Sequence, residues 1–235
     1  MAVLMSKQMV IPTVAKLLSD YAVGESIYLN VNGVLTEFFV VNQGNPNSSF
    51  YDSTCDGTWL LMKDVYEKRV WDSTNNDYEN SDIHAYLNGT FSNLFDVGVR
   101  NAIKQVKLPY VKGLGTTGTS SYGANGLSTK VFLLSVYEVY NVSSYGAKND
   151  GKILTYFKSM TTEVDSRRIA YYNGEKAIWW LRTPQNQYTN QVKCVNMSGG
   201  FGTPSPTIAY GIRPALILPS TTLTNPDTNE FLGVK

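Results

Sequence analysis

The sequence predicts an α+β fold that combines antiparallel sheets with two main helices and long loops, and three observations lead there. The stretch "ESIYLNVNGVLTEFFVV" alternates Ile27, Leu29 and Val31 along one side and turns at Asn32-Gly33, a pair that accepts the positive φ angles of a type I′ turn. Two segments, "NSDIHAYLNGTFSNLF" and "VGVRNAIKQV", instead space their apolar residues three and four apart, the period of a helix. Apolar runs such as "TWLLM", "AIWWL" and "RPALILP" sit between stretches rich in Gly, Ser, Thr and Asn, as buried strands sit between surface loops.

Taken in order, an N-terminal segment, 1 to 24, holds a short helix from Val10 to Leu18, with Val14, Leu17 and Leu18 on one face. The hairpin then opens a single domain, 25 to 220. Gly44 to Gly57 reads as a loop and "TWLLMKDVY" as a buried strand. In the first helix Ser81 is placed to cap the N-terminus, and Asp82 suits the positive end of the dipole. Ile83, Tyr86 and Leu87 form its apolar face, and Asn88-Gly89 ends it. The second helix carries Val99, Ile103 and Val106, and Pro109 stops its continuation. Gly113 to Lys130 is a Gly, Ser and Thr loop before "VFLLSVYEVY", a strand or strand-to-helix element. Asn141 to Lys176 is mixed and ends near an Asn173-Gly174 turn. The last third is strand, Gly-rich turn, irregular loop and closing strand, with 221 to 235 as a tail.

Composition removes several functions. With 20 Lys and Arg against 19 Asp and Glu, scattered along the chain, nothing supplies the basic stripe that binding to nucleic acid requires. No apolar run approaches bilayer length, so no membrane insertion is expected. The opening "MAVLMSKQMVIPTVAKLL" is broken by Lys7, Gln8 and Pro12 and reads poorly as a secretion signal, which points to cytoplasmic synthesis. Cys55 and Cys194 lie far apart without metal-ligand spacing and are expected as free thiols.

Catalytic constellations are sparse. The one histidine, His84, lacks a companion base or nucleophile and reads as a solvated helix residue, which argues against a Ser-His-Asp or Cys-His hydrolase. "WDSTNNDYENSD" gathers Asp72, Asp77, Glu79 and Asp82 with Asn75 and Asn76, oxygen ligands of the kind calcium takes. Its spacing departs from the EF-hand loop, so a loop with helix-capping acids is the better reading and no cofactor is expected. From Gln185 to Tyr210 the only charged residue is Lys193, too little for acid-base chemistry. Tyr188, Phe201 and Tyr210 interleave there with Asn186, Asn190, Thr203, Ser205 and Thr207. Antibody loops use the same mixture for contact, and a sheet edge could be covered by it equally well.

Together "TWLLMKDVYEKRVWDST", "YENSDIHAYLNGTF", "AIKQVKLPYV", "VFLLSVYEVY", "RRIAYYNG", "WWLRTP" and "YGIRPALILPS" resemble DUF6273-type proteins of phages and gut bacteria. The C-terminal part is similar to the C-type-lectin-like fold of the formylglycine-generating-enzyme type. The resemblance, from about Ile27 to Ser220, extends to the variable proteins of diversity-generating retroelements, whose C-terminal stretch is rewritten between two fixed motifs. It implies that 185 to 210 is the varied interval. Trp179, Trp180, Leu181, Arg182 and Pro184 would bound it on one side, and Gly211, Arg213, Pro214 and Leu216 on the other. Val195, Asn196 and Gly199 would be framework. The displayed positions it implies are Asn186, Tyr188, Asn190, Lys193, Cys194, Gly200, Phe201, Gly202, Thr203, Ser205, Thr207 and Ile208, with Tyr210 at the edge. Cys55 and Cys194 match no catalytic cysteine pair of that enzyme type, so catalysis is not carried over.

The function expected is a non-catalytic binding protein on a phage virion or bacterial surface, contacting a host-surface protein or glycan, with its oligomeric state open. The alternatives are a structural virion or surface component that buries the same face against another subunit, and a glycosidase using carboxylates elsewhere. Arg182 and Arg213, set in apolar framework, are expected to be paired or hydrogen-bonded, because a buried unpaired charge is prohibitively costly.

Overall fold

Pairing of the apolar runs builds two five-stranded sheets. In this computed structural model residues 14–115, 120–140, 147–158 and 165–235 are described. The first sheet runs Val131–Phe132, Ala215–Leu218, Thr58–Met62, Val34–Gln43, Ser26–Val31, antiparallel throughout. The expected hairpin is its edge, with Asn32 at φ 53° and Gly33 at φ 78° in the turn. The second sheet runs Phe201–Gly202, Val192–Val195, Trp179–Pro184, Ala209–Ile212, Glu67–Val70. Its one parallel pairing is Trp179 with Gly211.

One bent ribbon joins the sheets. Thr58–Met62 pairs with Ala215–Leu218 in the first, and the same two chain segments continue as Glu67–Val70 and Ala209–Ile212 in the second. The "GIRPAL" stretch is the corner. There Met62 N donates to Pro214 O at 2.9 Å, Tyr66 N to Ile212 O at 2.9 Å, and Arg213 Nε to Met62 O at 2.8 Å.

Two hydrophobic clusters flank this framework, and central strands feed both by alternation. Leu60, Trp180, Cys194 and Leu216 enter one cluster; Trp59, Leu61, Trp179, Leu181, Val195 and Ile217 enter the other. Strands buried on both faces carry long apolar runs, which is why these segments read as strands in sequence.

The chain is mainly β, which corrects the α+β class and with it the lectin-like architecture of sheets plus two main helices. Among the described residues only the 82–94 stretch is helical over any length, as Asp82–Tyr86, a π-wound Leu87–Phe91 and a 3-10 turn Ser92–Leu94. Ser81 caps it, accepting from His84 N. The second expected helix stops after Val97–Ala102. Ile103 is extended, and Val106–Leu108 pairs with Leu127–Thr129, because β-branched Val106 and the partner strand outweigh a spacing that fits the helical period.

Of the expected helix from Val10 to Leu18, residues 10–13 lie outside the described residues; the rest is not α-helical, since Lys16–Leu17 is a strand and Leu18 opens a 3-10 turn. That strand pairs with Thr222–Thr224, which in turn pairs with Phe231–Val234. No helix among the described residues is long and apolar enough to cross a membrane.

The corner leaves no room for a methyl at Gly211: a Cβ there would lie 2.6 Å from Val65 Cγ2 and 2.8 Å from Ile178 O. Gly211→Ala is expected to cost about 1–3 kcal/mol. Gly89→Ala, with nothing within 4 Å of the new methyl, should hold or raise the thermal midpoint. Equal midpoints for the two variants would contradict this account of the corner.

Candidate functional site

The 185 to 210 interval hangs from a strand fixed by a buried ion pair. All six residues of Trp179–Pro184 are buried. Arg182, 1% exposed, donates from Nη1 to Glu138 Oε2 at 2.6 Å and from Nη2 to Glu138 Oε1 at 2.7 Å. Its remaining donors reach the carbonyls of Leu133, Pro109 and Asp150. Burial alone would lower the guanidinium pKa, and Glu138 alongside more than reverses that.

Glu138 also completes a capping box. Ser135 N donates to Oε2 at 2.8 Å, Glu138 N donates to Ser135 Oγ, and Tyr51 Oη–H donates to Oε1 at 2.8 Å. Thr183 extends the network: Val136 N donates to Thr183 Oγ1, which donates to Asp150 Oδ2 at 2.8 Å. Asp150 is fully buried, and desolvation pushes its carboxyl up to about 7. Charge balance supports that direction, since Glu138 already neutralises Arg182 in a bidentate pair. A raised carboxyl can mark an active site, but Asp150 and Glu138 are both closed off from solvent, so here the shift follows from burial in a structural network.

Arg213 meets its expectation through hydrogen bonding and stacking. Its Nε bonds Met62 O, its guanidinium lies 5.0 Å from the Trp179 ring centroid, and burial pushes its pKa down to about 10.

Beyond Pro184 the chain is held through its backbone. Gln185 N donates to Gln191 O at 2.9 Å and closes a loop in which Gln187 has φ 67°. Buried Asn76 clamps that loop, its Nδ2 donating to Tyr188 O at 2.8 Å and Gln191 O at 2.9 Å while its Oδ1 accepts from Leu114 N. Val192 N donates to Pro204 O at 3.1 Å, which brings the 203–208 segment beside the first loop, and Trp71 N donates to Pro206 O. Sequence reasoning missed Glu138 and Asp150, and it grouped Asn76 with possible cation ligands, because nothing in that stretch distinguishes a clamp from an ordinary loop asparagine.

The resemblance-derived positions separate into groups. Tyr188 (48%), Ile208 (41%), Asn190, Thr203 and Thr207 are exposed, while Asn186 and Ser205 are half-buried on the same loops. Tyr210 is half-buried with its ring 5.2 Å from that of Trp180. Lys193 (1%) and Cys194 (3%) are buried in Val192–Val195, a strand covered on both faces, so neither reaches solvent. Burial pushes Lys193 down to about 8 and Cys194 up to about 12. Buried Gly200 and half-buried Phe201 and Gly202 lie near the far end of that strand, where the Phe201 ring packs 6.0 Å from Tyr140.

That far turn is rigid. Asn196 Oδ1 accepts from Ser198 N and Gly200 N, and Gly199 adopts φ 84° where a Cβ would lie 2.4 Å from Asp165 O. Tyr140 Oη–H and Arg168 Nη1 both donate to Gly199 O.

His84 is half-buried, not solvated as expected, because Nδ1 bonds Glu79 O at 3.1 Å and Nε2 lies 3.3 Å from Thr129 Oγ1. Asp72 acts within the turn, its Oδ1 accepting from Thr74 N and Asn75 N and its Oδ2 from Asp82 N. Among the described residues no three His, Cys, Asp or Glu side chains are grouped to hold a metal ion. Cys55 and Cys194 are free thiols.

Fold and site together define a mainly β domain that carries polar loops on a buried framework. Residues 56–220 match the family model described as Domain of unknown function (DUF6273), and the chain belongs to that family. No curated protein and no solved structure matches the chain.

Two predictions follow from the network. Glu138→Gln strands the Arg182 charge and should cost about 3–5 kcal/mol by denaturant titration, whereas Tyr188→Ala should stay within about 0.5 kcal/mol. Asp150 binds its proton more tightly folded than unfolded, so its contribution is full below about pH 4 and declines as pH rises through about 7. Asp150→Asn should therefore stabilise the protein more at pH 8 than at pH 5, on the order of 1–4 kcal/mol at the upper pH. A gap independent of pH would rule out the buried neutral acid.

Proposed function

We propose that the chain is a non-catalytic binding protein that presents the loops 186–190 and 203–208 to a host-surface protein or glycan. In this reading it works as the variable proteins of diversity-generating retroelements do, on a phage or bacterial surface. The observation that carries the reading is how these loops are held. Asn76 bonds carbonyls at 188 and 191, Val192 N bonds Pro204 O, and Trp71 N bonds Pro206 O, so the anchors to neighbouring segments use backbone atoms of the loops. Backbone anchoring leaves side chains at 188, 190, 203, 207 and 208 free to change without loss of the frame.

Surface chemistry agrees. Tyr188 and Ile208 expose large apolar area among hydroxyls and amides, a mixture that gives contact area at low entropy cost with adaptable hydrogen bonding. At the root of the first loop, Gln185 Oε1 and Asn186 Oδ1 have no donor among the described residues. In this reading Lys193 and Cys194 belong to the frame, and the recognition surface is narrower than the interval that contains it.

Sequencing the encoding locus across a population tests the proposal. Substitutions should cluster at 186, 188, 190, 203, 205, 207 and 208 and spare 182, 192 to 196, 199 and 211 to 216. Substitutions spread evenly over exposed positions of the whole chain would leave a fixed surface and overturn the reading.

A further inference from the structure

A cavity of about 440 Å³ lies away from these loops, between the 82–94 helical stretch, the Val97–Ala102 helix and the 127–130 strand segment, and none of its lining residues belongs to 185–210. Its charge is one-sided: Arg100 and Lys130 line it beside the titratable His84, and no carboxylate does. Among the described residues neither Arg100 nor Lys130 forms a salt bridge; Arg100 Nη1 donates only to the neutral Asn93 Oδ1, at 3.1 Å.

The floor is rigid. Asn88 Oδ1 accepts from Lys130 N, Val131 N and Thr129 Oγ1, and its Nδ2 donates to His84 O and Val131 O. This fixes the backbone that carries both His84 and Lys130. Two unpaired cations held at one polar cavity, with amide donors of Asn93 and Gln105 on its wall, are complementary to an anion with several acceptor oxygens.

We propose that this cavity binds a tetrahedral oxyanion carried as a sulfate or phosphate ester, seated between Arg100 and Lys130. His84 is the internal reporter. Burial holds its pKa down, while Glu79, whose carbonyl accepts from Nδ1, raises it; the Tyr78 ring packs at 5.0 Å, and Arg100 and Lys130 face the same cavity. A bound dianion favours the imidazolium and raises the pKa.

The chain has one histidine, so its ring resonances in a proton–carbon NMR titration need no assignment. In sodium sulfate, against sodium chloride at equal ionic strength, the His84 pKa should rise by about 0.5 or more and the shift should saturate. The Arg100→Gln/Lys130→Gln double variant, with its thermal midpoint unchanged and its own chloride titration as baseline, should lose that response. An unchanged pKa in sulfate, or an equal rise in the double variant, would overturn the site. N-acetylglucosamine 6-sulfate and N-acetylglucosamine 6-phosphate then separate the sources: the ester that half-saturates below inorganic sulfate identifies the group carried, and neither doing so overturns the ester assignment.

Discussion

The bidentate contact between Arg182 and Glu138 is the constraint on which the rest of the structure depends. Two charges without solvent access survive only when each remaining donor and acceptor is satisfied, and here the satisfying groups come from four chain segments. Tyr51, the carbonyl of Pro109, the Leu133–Ser135 segment and the carbonyl of Asp150 all converge on one pair. Moving any one of them strands a polar group in a low dielectric, so the pair fixes relative position more than it adds net stability. The loops after Pro184 begin two residues beyond Thr183, which is bonded into the same network.

That arrangement divides the chain by role. The framework strands are buried on both faces and hold side chains in two cores, while the loops between them are gripped by backbone hydrogen bonds. Side-chain identity therefore matters intensely at Trp179 to Thr183 and little at Tyr188 or Thr207. Arg213 at the corner between sheets serves the frame in a second way, stacking on Trp179 and bonding the Met62 carbonyl where the ribbon changes sheet.

Much of the framework was legible in the sequence because it is local. Asn32-Gly33 names its own turn, Ser81 its own cap, and the apolar runs around Trp59, Trp180 and Leu216 are short strands whose flanking residues break them. What failed was non-local. Val99, Ile103 and Val106 fit a helical period, but the partner strand at Leu127–Thr129 decides against it. Arg182 advertised the need for a partner but not that Glu138 would be that partner, 44 residues earlier. Lys193 and Cys194 lie between exposed positions in sequence, and only sheet pairing on both sides of Val192–Val195 shows that neither can face solvent. His84 looked solvated because its partners, Glu79 O and Thr129, are supplied by a turn and a distant strand.

Native-state hydrogen exchange on the protein, and on a variant with residues 188, 190, 203, 207 and 208 replaced together, tests the separation of frame from surface most directly. The account predicts that amides of Trp179–Thr183 and Val192–Val195 open only with global unfolding, at the same free energy in both proteins, while loop amides outside the backbone clamps exchange near the unprotected limit. A fall in the protection of Trp179–Thr183 when the loop side chains are replaced would show that the surface helps to hold the frame and would contradict the account.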